Sequence, residues 1–196
     1  MGIEGKPHEY HLGRGGEEEW NVRDTLLTGE DVIDLFVDGS RRFDNGKYRT
    51  GWAVVDRDRT QVRTGRLWGK GSARQAELTA ILKAILWGKN KRVNIYTDSS
   101  YAWGACVDYA PTWRRWGYVT SSGMPVKHAC LLKDMMDGLQ GVGEAATIKV
   151  KAHQAIDTPE QFENAKADLA AKSAENRTQV GTKHWAVGEL EKEVDV

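Results

Sequence analysis

The sequence predicts an α/β fold: a five-stranded mixed sheet, three strands antiparallel and then parallel strands, flanked by helices. Three observations carry that reading. Strand-like segments follow one another at hairpin spacing between residues 32 and 69. From residue 72 onward helical periodicity alternates with strand patterns, so the later strands need crossovers and run parallel. Finally, "LFVDGS" (35–40) and "NIYTDSSYAW" (94–103) each drive an apolar strand into an aspartate followed by small residues. In parallel sheets, sites lie outside such carboxyl ends.

The first strand is "VIDLFVD", 32–38. "YRTGWAVVD" (48–56) and "QVRTGRLWG" (61–69) complete a meander. A helix starts at Ser72, with Leu78, Ile81, Leu82, Ile85 and Leu86 on one stripe and Gly88 as its stop. "RVNIYTD" (92–98) is the fourth strand, parallel to the first, so Asp38 and Asp98 finish side by side. "SSYAWGACVDYA" reads as a short helix capped by Asp98 or Ser99, and Pro111 as the start of a new segment. A helix over 126–139, a fifth strand "ATIKVKAH" (146–153) and a last helix over 159–175 follow, the last with Pro159 near its start.

A chain of 196 residues, 40% hydrophobic and with eight Trp, has room for one domain and a real core. Residues 1–31 are Gly-rich, charged and aperiodic and read as a flexible N-terminal segment. The folded domain is placed at 32–176 and a tail at 177–196. Cys106 and Cys130 form no disulfide or metal framework, so a reducing, intracellular compartment is expected, cytoplasm and nucleus being equally open. No apolar run reaches membrane-spanning length, and the N-terminus lacks a secretory leader. Lys6 stands where a myristoylation signal needs Ser or Thr. A monomer without a membrane partner is expected.

The 28 basic and 28 acidic residues cancel but are segregated. Residues 41–74 hold ten Lys/Arg against three Asp, and 111–133 hold four basic residues and no acidic one. Such stretches are solvated faces in most proteins, yet they also suit a polyanion.

Each of four carboxylates has an ordinary structural explanation alone: Asp98 as a helix cap, Asp38 as a turn residue, Glu77 and Asp168 as solvated helix positions. Their conjunction points elsewhere. Glu77 borders the buried stripe, and Asn164 and Asp168 share a helix face at i, i+4. Converging carboxylates raise each other's pKa unless a cation intervenes. Four hard oxygen donors suit Mg²⁺, with Mn²⁺ as an alternative. Two such ions ~3.5–4 Å apart form a clamp for in-line phosphoryl displacement. Small residues after each aspartate would leave room for a backbone phosphate.

"FVDGS", "ARQAELTAI", "NIYTDSSYA" and "NAKADLAAK" resemble, in order and spacing, the type 1 ribonuclease H family, closest in flavour to its retroviral branch. That branch is the ribonuclease H domain of a reverse transcriptase polyprotein from a retrovirus or related LTR element. The likeness covers about residues 33–176. It implies the ribonuclease H-like fold and metal-dependent hydrolysis of the RNA strand of an RNA–DNA hybrid. It also implies metal binding by Asp38, Glu77, Asp98 and Asp168, and a polymerase domain in a longer precursor. His153 in "VKAHQ" matches the family histidine thought to assist proton transfer or product release, although Ala152 and Glu163 stand where Gly is common.

"PTWRRWGYVTSSGMPVKHA" resembles the family's basic handle, whose Trp113, Arg114, Arg115 and Trp116 combine charge with aromatic faces for a duplex backbone. A Trp-anchored structural helix is the plainer alternative. Gly39, Ser40 and Ser99 are candidate contacts to the RNA 2′-hydroxyls, with Asn164 beside them. The Arg-rich stretch 41–66 adds phosphate contacts with no residue singled out. Two rivals stand: a DNA strand-transfer enzyme on the same fold, and an inactive hybrid-binding module. The first would place a glutamate where Lys133 stands; the second would have lost an acid, and all four are present.

Overall fold

The computed structural model describes residues 22–57, 61–151 and 159–175, without the side chains of 159–163 and Glu175. The strands are β1 (Val22–Arg23), β2 (Val32–Asp44), β3 (Lys47–Asp56), β4 (Val62–Leu67), β5 (Arg92–Thr97) and β6 (Glu144–Lys149). They form one mixed sheet in the order β1-β6-β5-β2-β3-β4. β2, β3 and β4 are antiparallel, while β2, β5, β6 and β1 are parallel. The mixed architecture is the one the pattern predicts, with six strands in place of five.

The added strand lies in the segment read as a flexible lead-in. Val22 and Arg23 pair with Ala145 and Ala146 of β6. Buried Asn94 holds the following turn: its Oδ1 accepts from the Leu27 amide at 2.9 Å and its Nδ2 donates to the Leu27 carbonyl at 3.0 Å. Arg92 bonds Asp31 and Glu144 from the same strand. These are long-range contacts, invisible to periodicity.

β2 is central, so Leu35, Phe36 and Val37 are buried in succession rather than alternately. Leu35 and Val37 face α1 (Ala73–Trp87), α2 (Ser100–Gly104), α3 (Ala110–Arg115) and α4 (Ala129–Leu139) in the main core with Ile81, Ile95 and Met135. Phe36 faces α5 (Pro159–Glu175) on the other side, stacked on Tyr96 at 4.5 Å between centroids. Ala167, Ala171 and Ala174 are buried on α5. Their bare methyl groups let the helix approach the sheet closely.

Ser72 caps α1 in a capping box with Gln75. The predicted apolar stripe is buried except Leu86, which is 51% exposed. Pro111 does not begin a new segment. A π-helical turn over Ala105–Tyr109 joins α2 to α3, so the helix runs through the proline. The Ala110 amide donates to the Ala105 carbonyl, and the widened turn takes up the missing proline donor. α4 begins at Ala129, three residues later than expected, after His128 in left-handed conformation.

Candidate active site

Asp38 lies in the sheet centre, and its level on β2 is two residues past the last β5 pairing, Phe36 with Tyr96. Asp98 follows directly on β5. Asp98 therefore stands at the carboxyl end of β5 with Asp38 at the same level, just past the last parallel pair, although β2, expected to stop at residue 38, runs on against β3 to Asp44. α5 contributes Asn164 and Asp168, and α1 contributes Glu77 one turn into the helix. The structure brings all four predicted acids to this edge of the sheet.

Asp38 is only 8% exposed. Its Oδ1 accepts the Gly39 amide at 2.8 Å. Burial, then the neighbouring charges of Asp98 and Asp168, push its carboxyl up from 3.8 to about 8. Burial also raises the carboxyl of Glu77; Asp98 adds to this, while a Ser99 hydrogen bond and Arg74 oppose it. Asn164 donates Nδ2 to Asp98 at 3.3 Å. Lys172 donates to Asp168 at 2.6 Å, one turn along α5.

Two of the small residues make structural contacts that the sequence did not suggest. A Cβ on Gly39 would lie 2.4 Å from the Glu77 amide nitrogen and 2.7 Å from the Ala76 carbonyl carbon. Gly39 thus lets α1 sit backbone-to-backbone on β2, which sets Glu77 beside Asp38. The Ser99 hydroxyl donates to Glu77 Oε2 at 2.6 Å and accepts from the Ala102 amide as the cap of α2. It orients an acid and starts a helix. Ser40 is half-buried just beyond.

The handle residues divide. Trp113 is turned into the main core at 9% exposure, so the structural alternative holds for it. The Arg114 guanidinium reaches Gln140, donating Nη2 at 2.6 Å when the amide oxygen faces it. Arg115 and Trp116 are exposed. His153 lies outside the described residues. Arg74 and Lys172, which modulate the acids, were open to sequence reasoning through their i, i+3 and i, i+4 spacing from Glu77 and Asp168.

A hard divalent cation fits this set. Burial and the charges of Asp98 and Asp168 raise the Asp38 carboxyl, and a cation would relieve that repulsion. Among the described residues the buried Asn164 Oδ1 has no hydrogen-bond partner, an oxygen open to another donor or ion. Among the described residues no three His, Cys, Asp or Glu side chains close around a single point.

Residues 30–176 match the family model described as RNase H. The Gag-Pol polyprotein of Koala retrovirus is 33% identical over 162 residues, 83% of this chain and 9% of the polyprotein. That of Avian reticuloendotheliosis virus is 34% identical over 143 residues, 70% of this chain and 12% of the polyprotein. The chain thus spans a small part of these relatives. Among solved structures, the PFV RNase H domain covers 73% of this chain and 93% of its own at 22% identity, TM-score 0.63. The foamy viral protease-reverse transcriptase in complex with RNA/DNA hybrid covers 90% of this chain and 23% of its own at 20% identity, TM-score 0.65. At these identities the structural likeness is one of fold. Matched over most of its length and carrying that fold, the chain belongs to the RNase H family and is of the retroviral type.

Proposed function

We propose that this chain is an endonuclease that hydrolyses the RNA strand of RNA–DNA hybrids with two divalent ions, Mg²⁺ or Mn²⁺. The observation that carries the reading is the convergence of Asp38, Glu77, Asp98 and Asp168 at one sheet edge, with Asp38 buried there. Family membership supports the reaction class, and divalent ions are general in the family.

Asp38, Glu77, Asp98 and Asp168 would hold the ions. Such a pair supplies an activated water and stabilises the leaving oxygen in an in-line displacement. The chain's own groups prepare that site. The Gly39 amide and Asn164 fix the Asp38 and Asp98 carboxylates, Ser99 fixes Glu77, and Lys172 steadies Asp168. His153 assists proton transfer or product departure, the role its place in the motif implies. Products carry 3′-hydroxyl and 5′-phosphate ends. RNA is told from DNA by its 2′-hydroxyl in the shallow minor groove, with little base readout. The strand-transfer rival gains nothing from the structure, because Lys133 is exposed on α4.

The test is incubation of the purified chain with labelled RNA–DNA hybrid and Mg²⁺, with and without EDTA, beside the Glu77→Gln protein. Cleavage of the RNA strand that EDTA and the substitution both abolish is expected. Comparable cutting of a matched DNA duplex, or full turnover by Glu77→Gln, refutes the assignment.

A further inference from the structure

β2 does not stop at the site. Its pairing with β5 ends at Phe36, and β4 leaves β3 at Thr50, the partner of Arg41. Beyond that level, among the described residues, the sheet narrows to a two-stranded ribbon: Arg42 opposite Arg49, Phe43 opposite Tyr48, Asp44 opposite Lys47. An Asn45-Gly46 turn with positive φ at both residues closes it. At ~3.3 Å per residue, the six residues from Asp38 to Asp44 carry the tip roughly 20 Å past the site, from the same edge of the sheet.

The ribbon's surface is unusual for a solvated hairpin. Phe43 is 61% and Tyr48 49% exposed, their rings 4.8 Å apart. The Arg41 guanidinium lies 3.5 Å from the Tyr48 ring centroid. Arg41, Phe43 and Tyr48 thus form a cationic-aromatic row, on the α1 side by strand alternation from Leu35, Val37 and Gly39. Residues 41–49 carry Arg41, Arg42, Lys47 and Arg49 against Asp44 alone, which pairs with Arg49 at 3.4 Å. A row of this kind does not fill the core. Aromatic faces with flanking cations match the sugars, bases and phosphates of a nucleic acid. The excess positive charge disfavours an ordinary apolar protein partner.

We infer that the Arg41–Arg49 ribbon is a second grip on the substrate duplex, taking its backbone about six base steps from the cleavage site at ~3.4 Å per step. This rests on the proposed hybrid substrate. The ribbon adds affinity and length dependence, and the acids supply the chemistry.

The experiment compares a short hybrid that spans only the acids with a longer one that reaches the ribbon. Affinity is read by fluorescence anisotropy in EDTA, and KM and kcat by RNA cleavage in Mg²⁺. Two variants are used, Phe43→Thr/Tyr48→Thr, which keeps strand propensity, and Arg41→Gln/Lys47→Gln, which keeps the aromatic pair. For the wild type the long hybrid binds more tightly than the short one. Each variant binds the long hybrid about 10-fold more weakly, with KM about 10-fold higher, and matches the wild type on the short one. The Gln variant also flattens the salt dependence by ~0.9 in log–log slope per lost phosphate contact, the duplex-DNA value. If both hybrids are cut with ribbon-independent KM, the ribbon assignment falls and the active site stands. Equal losses on both lengths also overturn it, as does an unchanged hybrid affinity with loss of self-association. A wild-type chain that neither binds nor cuts either hybrid overturns both readings.

Discussion

Asp38→Asn separates the electrostatic account of the site from mere family likeness. The Asp38 carboxyl is pushed from 3.8 to about 8, first by burial and then by Asp98 and Asp168. Below about pH 4 both folded and unfolded chains hold this proton. Between there and about pH 8 the unfolded chain releases it and the metal-free fold does not. This group's stabilising contribution is therefore greatest at low pH and is lost as pH rises. At ~1.4 kcal/mol per pH unit, the loss approaches about 5 kcal/mol at pH 8. The three acids share the repulsion and relax, so roughly half, about 2–3 kcal/mol, is a realistic yield on substitution. Asparagine can still accept the Gly39 amide. In EDTA at pH 8 the Asp38→Asn protein should melt ~5–10 °C above the wild type, at ~2–4 °C per kcal/mol. The advantage should shrink towards pH 4. Mg²⁺ should raise the wild-type Tm and largely spare the variant, which should not cleave hybrid. Thermal unfolding followed by circular dichroism across pH, with EDTA or Mg²⁺, is the assay. A variant less stable at pH 8, or a gain that does not vary with pH, refutes the reasoning.

Gly39→Ala should displace α1 and cost about 1–3 kcal/mol through overpacking, with hybrid cleavage lost although all four acids remain; a wild-type melt would show that α1 can retreat freely. Ser99→Ala removes a helix cap and the hydrogen bond to Glu77, so stability should fall by ~0.5–2 kcal/mol and kcat with it, while Ser99→Thr restores both; a kcat unaffected by Ala would separate Ser99 from Glu77. His153→Ala should slow turnover by at most ~10²–10⁴-fold and keep the Mg²⁺-dependent rise in Tm, whereas a wild-type pH–rate profile would make that residue a bystander. Trp113→Ala should destabilise the fold by ~3–5 kcal/mol, in contrast to Arg115→Ala, which should leave the melt unchanged and weaken hybrid binding; the opposite pattern would reverse the division of the handle.

Local pattern determined a good deal here. Alternating helix and strand periodicity sets the mixed sheet, and the aspartates of "LFVD" and "NIYTD" fall side by side just past the last parallel β2–β5 pair. Glu77 was legible as a helix position bordering the apolar stripe, and Asp168 as sharing a helix face with Asn164. What the sequence left open depends on contacts between distant segments. Gly39 gives no sign in sequence that helix α1 will lie 2.4 Å from its missing Cβ. Ser99 reads as a small residue near phosphate until its hydroxyl is seen on Glu77, 22 residues away. Trp113 and Trp116 look alike as aromatic residues, and only the turn of α3 against the core buries one and exposes the other. Residues 22–31 lack any periodicity; Asn94, 67 residues from Leu27, secures them by side-chain hydrogen bonds that no local pattern encodes. Composition and periodicity report what each segment prefers to bury. Which groups end within hydrogen-bonding distance is decided by register and by how closely the helices approach the sheet.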